Sequence, residues 1–295
     1  MMNDVKDVML DARAVECVRA ALCEDIGAGD VTTLALVDGS VMATGEILAR
    51  QACRVAGATV AAAVLRMVDP ELDVAVAAPD GCDVAAGGTV LTVRGRAASI
   101  LAAERTALNF MQRMCGIATL TAQFVEAVRA FGTRILDTRK TTPNLRLFEK
   151  YAVRCGGGEN HRFGLYDRVL MKDNHRRLWK GGDPHRLDLA VEAARKAYPS
   201  LEVEIEVESA EECQSALRAK PEWVMLDNMD CETMRACVAL CKGISRTEAS
   251  GGITLDRARA VAATGVDAIS LGCLTHSAGS VDLSLEWQEA IRSHA

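Results

Sequence analysis

Leu201-Glu202-Val203-Glu204-Ile205-Glu206-Val207-Glu208 alternates aliphatic and acidic residues through eight positions. In an extended chain successive side chains point to opposite faces, so this period of two puts the four glutamates on one face and the four aliphatics on the other. The aliphatic face suits packing under helices. Neighbouring carboxylates repel one another and resist burial unless cations, a metal or ligand hydroxyls answer them. A solvated edge strand with no task is the plain alternative.

On either side of this strand the same rhythm recurs. Apolar, strand-like runs occupy residues 134–138, 168–172, 223–226, 244–248 and 268–271, with helical stretches between the later ones at a spacing of roughly 20 to 25 residues. Repeated βα units of this period predict a parallel α/β barrel, with an open doubly wound sheet as the structural alternative. The polar residues favour the barrel. Nearly every run ends, on its C-terminal side, in a chemically capable group: Arg139 and Lys140, Lys172, Glu206 and Glu208, Asp227, Ser250-Gly251-Gly252, and Gly272. In a barrel these ends share one mouth, where such enzymes keep their sites.

The N-terminal part reads differently. Residues 12–24 have helical spacing and close at the Gly/Asp-rich stretch 25–33; strand-like runs at 41–55 and 73–93 are broken by Pro79-Asp80-Gly81 and Gly87-Gly88. A small α+β domain accounts for them. Residues 97–130 read as two helices separated near Gly116, the first carrying Glu104, Arg105, Asn109 and Gln112 among apolar neighbours. Residues 1–11 are expected to be disordered, from position and polarity.

Composition limits the function. With 295 residues, 49% of them hydrophobic, the chain can bury a large core without disulfide staples. No apolar run reaches membrane-span length, and Asp4, Lys6 and Asp7 stand where a signal peptide would be basic and then apolar, which predicts a cytoplasmic protein. The net charge of -6 argues against non-specific nucleic-acid binding. Residues 134–186, however, hold thirteen Lys or Arg against six Asp or Glu, so an anionic ligand is to be sought there. The eleven cysteines form no C-x-x-C pair, and Cys237 and Cys241, one helical turn apart in apolar surroundings, read as a packed face.

Within this frame, Asp227 would stand near Glu206 across adjacent strand ends, and paired acids so placed can bind ribose hydroxyls or Mg²⁺, which favours a few carboxylates plus substrate phosphates. Asp137-Thr138-Arg139-Lys140-Thr141-Thr142-Pro143 offers a guanidinium fork and an ammonium point charge for carboxylate or phosphate. Gly156-Gly157-Gly158-Glu159-Asn160-His161-Arg162 couples a glycine loop, flexible or closely packed, to a histidine and a second arginine. Lys172, beside Asp173-Asn174-His175, could be an anion anchor or, if desolvated, a Schiff-base amine. Ser250-Gly251-Gly252 and Leu271-Gly272-Cys273 end the last two strands, where barrels commonly bind phosphate through backbone N–H groups. Together these residues describe a phosphosugar-binding barrel acting on a polyanion, without naming it.

The sequence resembles the quinolinate phosphoribosyltransferase family, also called nicotinate-nucleotide pyrophosphorylase (carboxylating). The matching strings are Glu24-Asp25-Ile26-Gly27 with Gly29-Asp30 and Thr32-Thr33, Glu104-Arg105-Thr106-Ala107-Leu108-Asn109, residues 138–143, 154–167 and 172–175, Leu226-Asp227-Asn228, Ser250-Gly251-Gly252, and Leu274-Thr275-His276-Ser277, in the family's order. The resemblance implies an N-terminal α/β sandwich of residues 1–115 joined by residues 276–295, and an incomplete α/β barrel over residues 116–275. It also implies a homodimer in which Arg105 reaches the neighbouring subunit's site; an intrachain salt bridge with Glu104 or another acid is the plainer reading of that arginine. By the same resemblance Thr138, Arg139, His161, Arg162 and Lys172, with Arg105, would bind the pyridine carboxylates of quinolinate, with Lys140 near the reacting groups. Glu206 and Asp227 would hold the ribose and the Mg²⁺ that arrives with phosphoribosyl pyrophosphate, and Ser250, Gly251, Gly252, Gly272 and Cys273 the 5-phosphate. The implied products are nicotinate mononucleotide, pyrophosphate and carbon dioxide.

Three features depart from the family pattern. Asn144 stands where glycine is frequent, and asparagine tolerates the left-handed angles such a turn needs. Cys273 replaces the usual alanine and brings an oxidisable thiol. Residues 176–188 are unusually basic. The alternatives left open are a paralogue of the same fold found with molybdate transport, a Schiff-base aldolase using Lys172, and a phosphosugar sensor without catalysis.

Overall fold

The computed structural model describes residues 8–179 and 182–288. Its contacts fall into two units: Met1–Ala122, Thr141–Gly157 and Cys273–Ala295 form the first, Gln123–Lys140 and Gly158–Gly272 the second. Residues 116–122 and 141–157, which the sequence reading places in the barrel span, therefore group with the first unit. The helix Arg146–Cys155 is held there by its own side chains. The Tyr151 hydroxyl donates to Asp80 Oδ2 at 2.7 Å, and the buried Glu149 carboxylate takes the Arg113 guanidinium at 2.9 Å.

The first unit is built on a four-stranded antiparallel sheet in the order Leu283–Trp287, Met42–Ala49, Thr89–Arg96, Asp73–Val76. The C-terminal strand thus pairs beside the first one, Gly45 opposite Trp287 and Ala49 opposite Leu283. Helices Ala12–Ile26, Ala58–Val68 and the long Ala97–Val128 accompany the sheet. Asp11 caps the first by accepting from Arg13 N, and Gly27, at φ 52°, closes it. Residues 8–10 form a short 3-10 turn with Val8 buried, so the expected disorder does not extend over residues 8–11; residues 1–7 lie outside the described residues.

A second correction concerns Gly116. The helix runs unbroken from Ala97 to Val128, because this glycine serves packing. A Cβ at position 116 would run into the carbonyl oxygen of Gly279. Gly156 serves the same purpose, since a Cβ there would collide with Ala118 O and the Thr121 side chain. Asn144 has φ 66°, the left-handed conformation its side chain tolerates.

The second unit is a six-stranded, all-parallel sheet in the order Arg134–Leu136, Ala268–Ser270, Arg246–Ser250, Trp223–Asp227, Val203–Val207, Val169–Met171. From Val169 onward each strand lies beside the next in sequence, and the first strand lies beside the last. A doubly wound sheet would instead reverse direction at a switch point. The order is that of an α/β barrel left incomplete between Arg134–Leu136 and Val169–Met171, which do not pair.

Within residues 201–208 the strand Val203–Val207 is buried along its whole length, which excludes a solvated edge. Glu202, Glu204 and Glu206 on its acidic face each find a cation, while Glu208 is exposed. At the N-terminal ends of the strands, Glu202 accepts from Arg168 Nη2 at 3.0 Å and Trp223 Nε1 at 3.1 Å, while the Arg246, Arg134 and Arg168 guanidiniums lie 4.3, 5.0 and 5.4 Å from the Trp223 ring centroid. This cation–π cluster closes that end and makes Glu202 structural. Within the basic stretch 176–188, Arg176 pairs with Glu212 at 3.0 Å and Arg186 with Asp188 at 2.8 Å, while residues 180 and 181 lie outside the described residues. Cys237 and Cys241 are buried, with Cys213 Sγ 3.6 Å from Cys241 Sγ and Met229 Sδ 3.9 Å from Cys237 Sγ. Among the described residues no helix is long and apolar enough to cross a membrane.

Candidate active site

The C-terminal strand ends of the second unit carry the groups expected there. Thr138, Arg139 and Lys140 follow the strand Arg134–Leu136, where the Thr138 hydroxyl accepts from Lys140 N at 3.0 Å and shapes the turn. Lys172 follows Val169–Met171, and its ammonium pairs with Glu206 in the neighbouring strand. Glu206 is nearly buried, so the lysine answers a carboxylate that would otherwise stand alone.

Arg139 and Arg162 converge. Arg162 is held below the usual arginine range, first by burial and then by the Arg139 guanidinium beside it. Its Nη1 donates to Arg168 O at 3.2 Å, which fixes the side chain's direction. Two guanidiniums brought together against their own repulsion form a site for an anion carrying more than one charge.

The loop that presents Arg162 is anchored by a residue the sequence reading passed over. Asp137 is fully buried and accepts from His161 N at 2.9 Å and from the Asn160 side chain. Asp167 turns the following segment by accepting from Phe163 N at 2.6 Å and Gly164 N at 2.9 Å.

His161 is itself buried, its Nε2 3.1 Å from Glu204 Oε2 and 3.4 Å from Glu248 Oε2. Burial would depress the imidazole's affinity for a second proton; the hydrogen bonds to Glu204 and Glu248 more than reverse this. Against that second proton stands the backbone N–H of Arg162, which donates to Nδ1 at 2.7 Å. An N–H cannot face another N–H at that distance, so the ring carries one proton, on Nε2. Glu248 lies above its usual range through burial and then through Glu204. These three residues have the spacing of a metal site, but Nε2 holds a proton and Nδ1 is already an acceptor, so a metal there would require an imidazolate. The cluster is an imidazole held between two buried carboxylates.

Across the mouth, Asp227 ends its strand and accepts from Asn228 Nδ2 at 2.7 Å. Glu206 is paired with Met225 in register, two residues before Asp227, so the two acids stand at successive levels of adjacent strands. This donor set of two carboxylates, one already paired with Lys172, suits an ion sharing its coordination with substrate oxygens rather than a full protein cage. Asn228, at φ 53°, donates its backbone N–H to Ser250 O at 3.0 Å and interlocks the two strand ends. Gly251 and Gly252 follow at φ 98° and 56°, and a Cβ at Gly251 would collide with the Asn228 side chain. Two successive left-handed glycines after a strand leave backbone N–H groups open to close approach by a ligand.

Gly272 follows the last strand, and Cys273, half-buried, begins the helix Cys273–His276 in the first unit. Burial pushes its thiol up, which lowers its susceptibility to oxidation. Arg105, also in the first unit, is exposed on its helix and makes no ion pair among the described residues, so the intrachain bridge to Glu104 is not formed. Sequence signals for the missed groups existed: Glu248 interrupts an apolar run as Glu204 does, and Asp137 ends one.

Comparison with known proteins agrees with this geometry. The chain matches the family models for the quinolinate phosphoribosyl transferase N-terminal domain over residues 30–115 and the C-terminal domain over residues 117–286. It is 40% identical to the nicotinate-nucleotide pyrophosphorylase [carboxylating] of Mycobacterium leprae, over 96% of this chain and 99% of that one. The nicotinate-nucleotide pyrophosphorylase of Francisella tularensis superposes with a TM-score of 0.87 at 37% identity, covering 94% of this chain and 96% of the other. NadC from Streptococcus pyogenes gives a TM-score of 0.88 at 40% identity, covering 94% and 98%. Two domain models in the right order and relatives matching almost end to end lead to one conclusion: the chain belongs to the quinolinate phosphoribosyl transferase family.

Proposed function

We propose that the chain transfers a phosphoribosyl group from phosphoribosyl pyrophosphate to quinolinate with loss of carbon dioxide, giving nicotinate mononucleotide for NAD biosynthesis. The observation that carries this reading is the convergence of Arg139 and Arg162, with Lys172 and Lys140 on neighbouring strand ends, in the unit that also carries Glu206 and Asp227. A pyridine dicarboxylate offers the two adjacent charges that such a pair of guanidiniums accepts.

In this proposal Arg139 and Arg162 fork onto the two carboxylates, Thr138 orders the turn, and Lys140 stands near the reacting groups. Glu206 and Asp227 hold the ribose hydroxyls and offset positive charge building on the ring as pyrophosphate departs. Mg²⁺ brought with phosphoribosyl pyrophosphate, held by the same two acids, would offset the charge of the leaving pyrophosphate. Ser250, Gly251, Gly252, Gly272 and Cys273 receive the 5-phosphate. The pyridine nitrogen takes the anomeric carbon; the 2-carboxylate then leaves as carbon dioxide, its electron pair passing to C2 beside the cationic nitrogen, where a proton replaces it. Exposed, without an ion pair among the described residues, Arg105 is available to a second copy of the chain, and we assign it to the neighbouring site of a homodimer.

The test is direct. Purified protein with quinolinate, phosphoribosyl pyrophosphate and Mg²⁺ should form pyrophosphate and nicotinate mononucleotide, and nicotinate in place of quinolinate should form neither. Absence of product from folded dimer would move the reading to the transport-associated paralogue or a sensor. The Schiff-base alternative has little support, because the Lys172 side chain is 45% exposed and paired with Glu206, whereas a carbinolamine-forming lysine needs desolvation. Borohydride with a carbonyl substrate is expected to leave Lys172 unmodified by mass spectrometry; a trapped adduct would restore the aldolase reading.

A further inference from the structure

Both ring nitrogens of His161 are engaged inside the protein. Nε2 faces Glu204 and Glu248 at 3.1 and 3.4 Å, and Nδ1 accepts the Arg162 backbone N–H at 2.7 Å. The residue's own N–H goes to the buried Asp137. A side chain so committed, and only 7% exposed, is poorly placed to spend a hydrogen bond on a ligand. Its contacts instead fix the backbone at the point where Arg162 leaves the loop.

Glu204 has one further partner, Arg168 Nη1 at 3.2 Å. Glu204 and Glu248 are both fully buried, come from different strands and approach one imidazole at 3.1 and 3.4 Å; Glu204 Oε1 and both Glu248 oxygens find no aligned hydrogen-bond donor among the described residues. Burying two acids costs stability, and apolar residues of similar size would fill a barrel interior at less cost. Their arrangement has a positional consequence: an acceptor at Nε2 holds the proton there, and the deprotonated Nδ1 is then the acceptor that Arg162 N requires.

We propose that Glu204 and Glu248 are positioning residues for quinolinate that act through His161, holding its proton on Nε2 so that Nδ1 anchors the Arg162 backbone and aims the guanidinium. This assigns His161 to the support of Arg162 rather than to direct ligand contact, and it rests on the proposed reading that Arg162 binds the pyridine dicarboxylate.

Two measurements test it. The first needs no substrate and no variant of the acids: in the full-length protein labelled with ¹⁵N-histidine at neutral pH, the long-range ¹H–¹⁵N pattern of His161, assigned by its loss in His161→Gln, should be that of a neutral ring protonated on Nε2. A doubly protonated ring, or a proton on Nδ1, overturns the proposal whatever the protein catalyses. The second is kinetic. Glu204→Gln keeps the volume but weakens the acceptor, and should raise KM for quinolinate about tenfold while KM for phosphoribosyl pyrophosphate stays within about twofold and kcat within about threefold. Glu248→Gln should do the same by about threefold. A fall in kcat with both KM values unchanged, or no change at all, sinks the positioning role. Failure of the wild-type protein to convert quinolinate would sink the functional reading, leaving the tautomer result to stand by itself.

Discussion

Arg139→Ala is expected to lower kcat/KM for quinolinate by about three orders of magnitude. A guanidinium forked onto a carboxylate makes two charge-assisted hydrogen bonds, each worth about 1.5 to 3 kcal/mol, and about 4 kcal/mol corresponds to roughly a thousandfold. The loss should be specific to quinolinate, since the 5-phosphate and ribose are assigned to other strand ends, so KM for phosphoribosyl pyrophosphate should change little. Arg139→Lys separates charge from shape: it restores a cation but not the fork, and should recover only about one of the three orders. Steady-state kinetics with each substrate varied in turn checks both variants, and a thermal melt confirms that they fold. Arg139→Ala within tenfold of wild type would remove this arginine from the substrate site.

Much of the barrel was legible because parallel strands are buried on both faces and therefore read as short apolar runs, and because the site sits where those runs end. Each of the six runs from residue 134 onward became a strand, with boundaries moved by a few residues at most. The strand order was not legible. Periodicity describes one strand at a time, whereas the barrel is defined by Arg134–Leu136 lying beside Ala268–Ser270, a pairing between distant parts of the chain.

The same limit hid the inner support of the site. Arg139, Lys140 and Lys172 could be singled out because cations clustered in sequence already imply an anion. Glu248 and Asp137 show in sequence only as acids in or at the end of a strand run, and their role depends on His161, which reaches Glu248 at 3.4 Å and Asp137 through its backbone N–H. His161 itself was picked as a ligand-binding residue from its neighbours in the chain, and only the positions of its two ring nitrogens argue for another role. The contact units group residues 141–157 differently from the sequence reading for a related reason: these residues follow the Arg139–Lys140 pair in sequence, but Glu149 and Tyr151 take their partners from Arg113 and Asp80.

Gly116 shows how a correct general rule gives the wrong local answer, and its substitution should reverse the sign that helix propensity predicts. In an exposed helix interior, glycine to alanine stabilises by about 0.5 to 1 kcal/mol, because glycine loses more backbone entropy on folding. Here the added methyl would meet the carbonyl of Gly279 with no room to accommodate it. That carbonyl belongs to the backbone, so relief requires moving the segment that leads from His276 to the strand Leu283–Trp287, and this segment is already tied to the same helix by Val281 N donating to Gln112 O at 3.0 Å and by Arg113 Nη1 donating to Ala278 O at 2.7 Å. Overpacking of this kind costs about 1 to 3 kcal/mol or more, enough to exceed the propensity gain. Gly116→Ala should therefore lower the melting temperature by several degrees, on the order of 2 to 4 °C per kcal/mol in a chain of this size, and Gly116→Val should lower it further. The propensity account requires the opposite shift for alanine. A higher melting temperature in Gly116→Ala would mean that the helix and the Gly279 segment are not in contact, and with that the reason for an unbroken helix from Ala97 to Val128 would be lost.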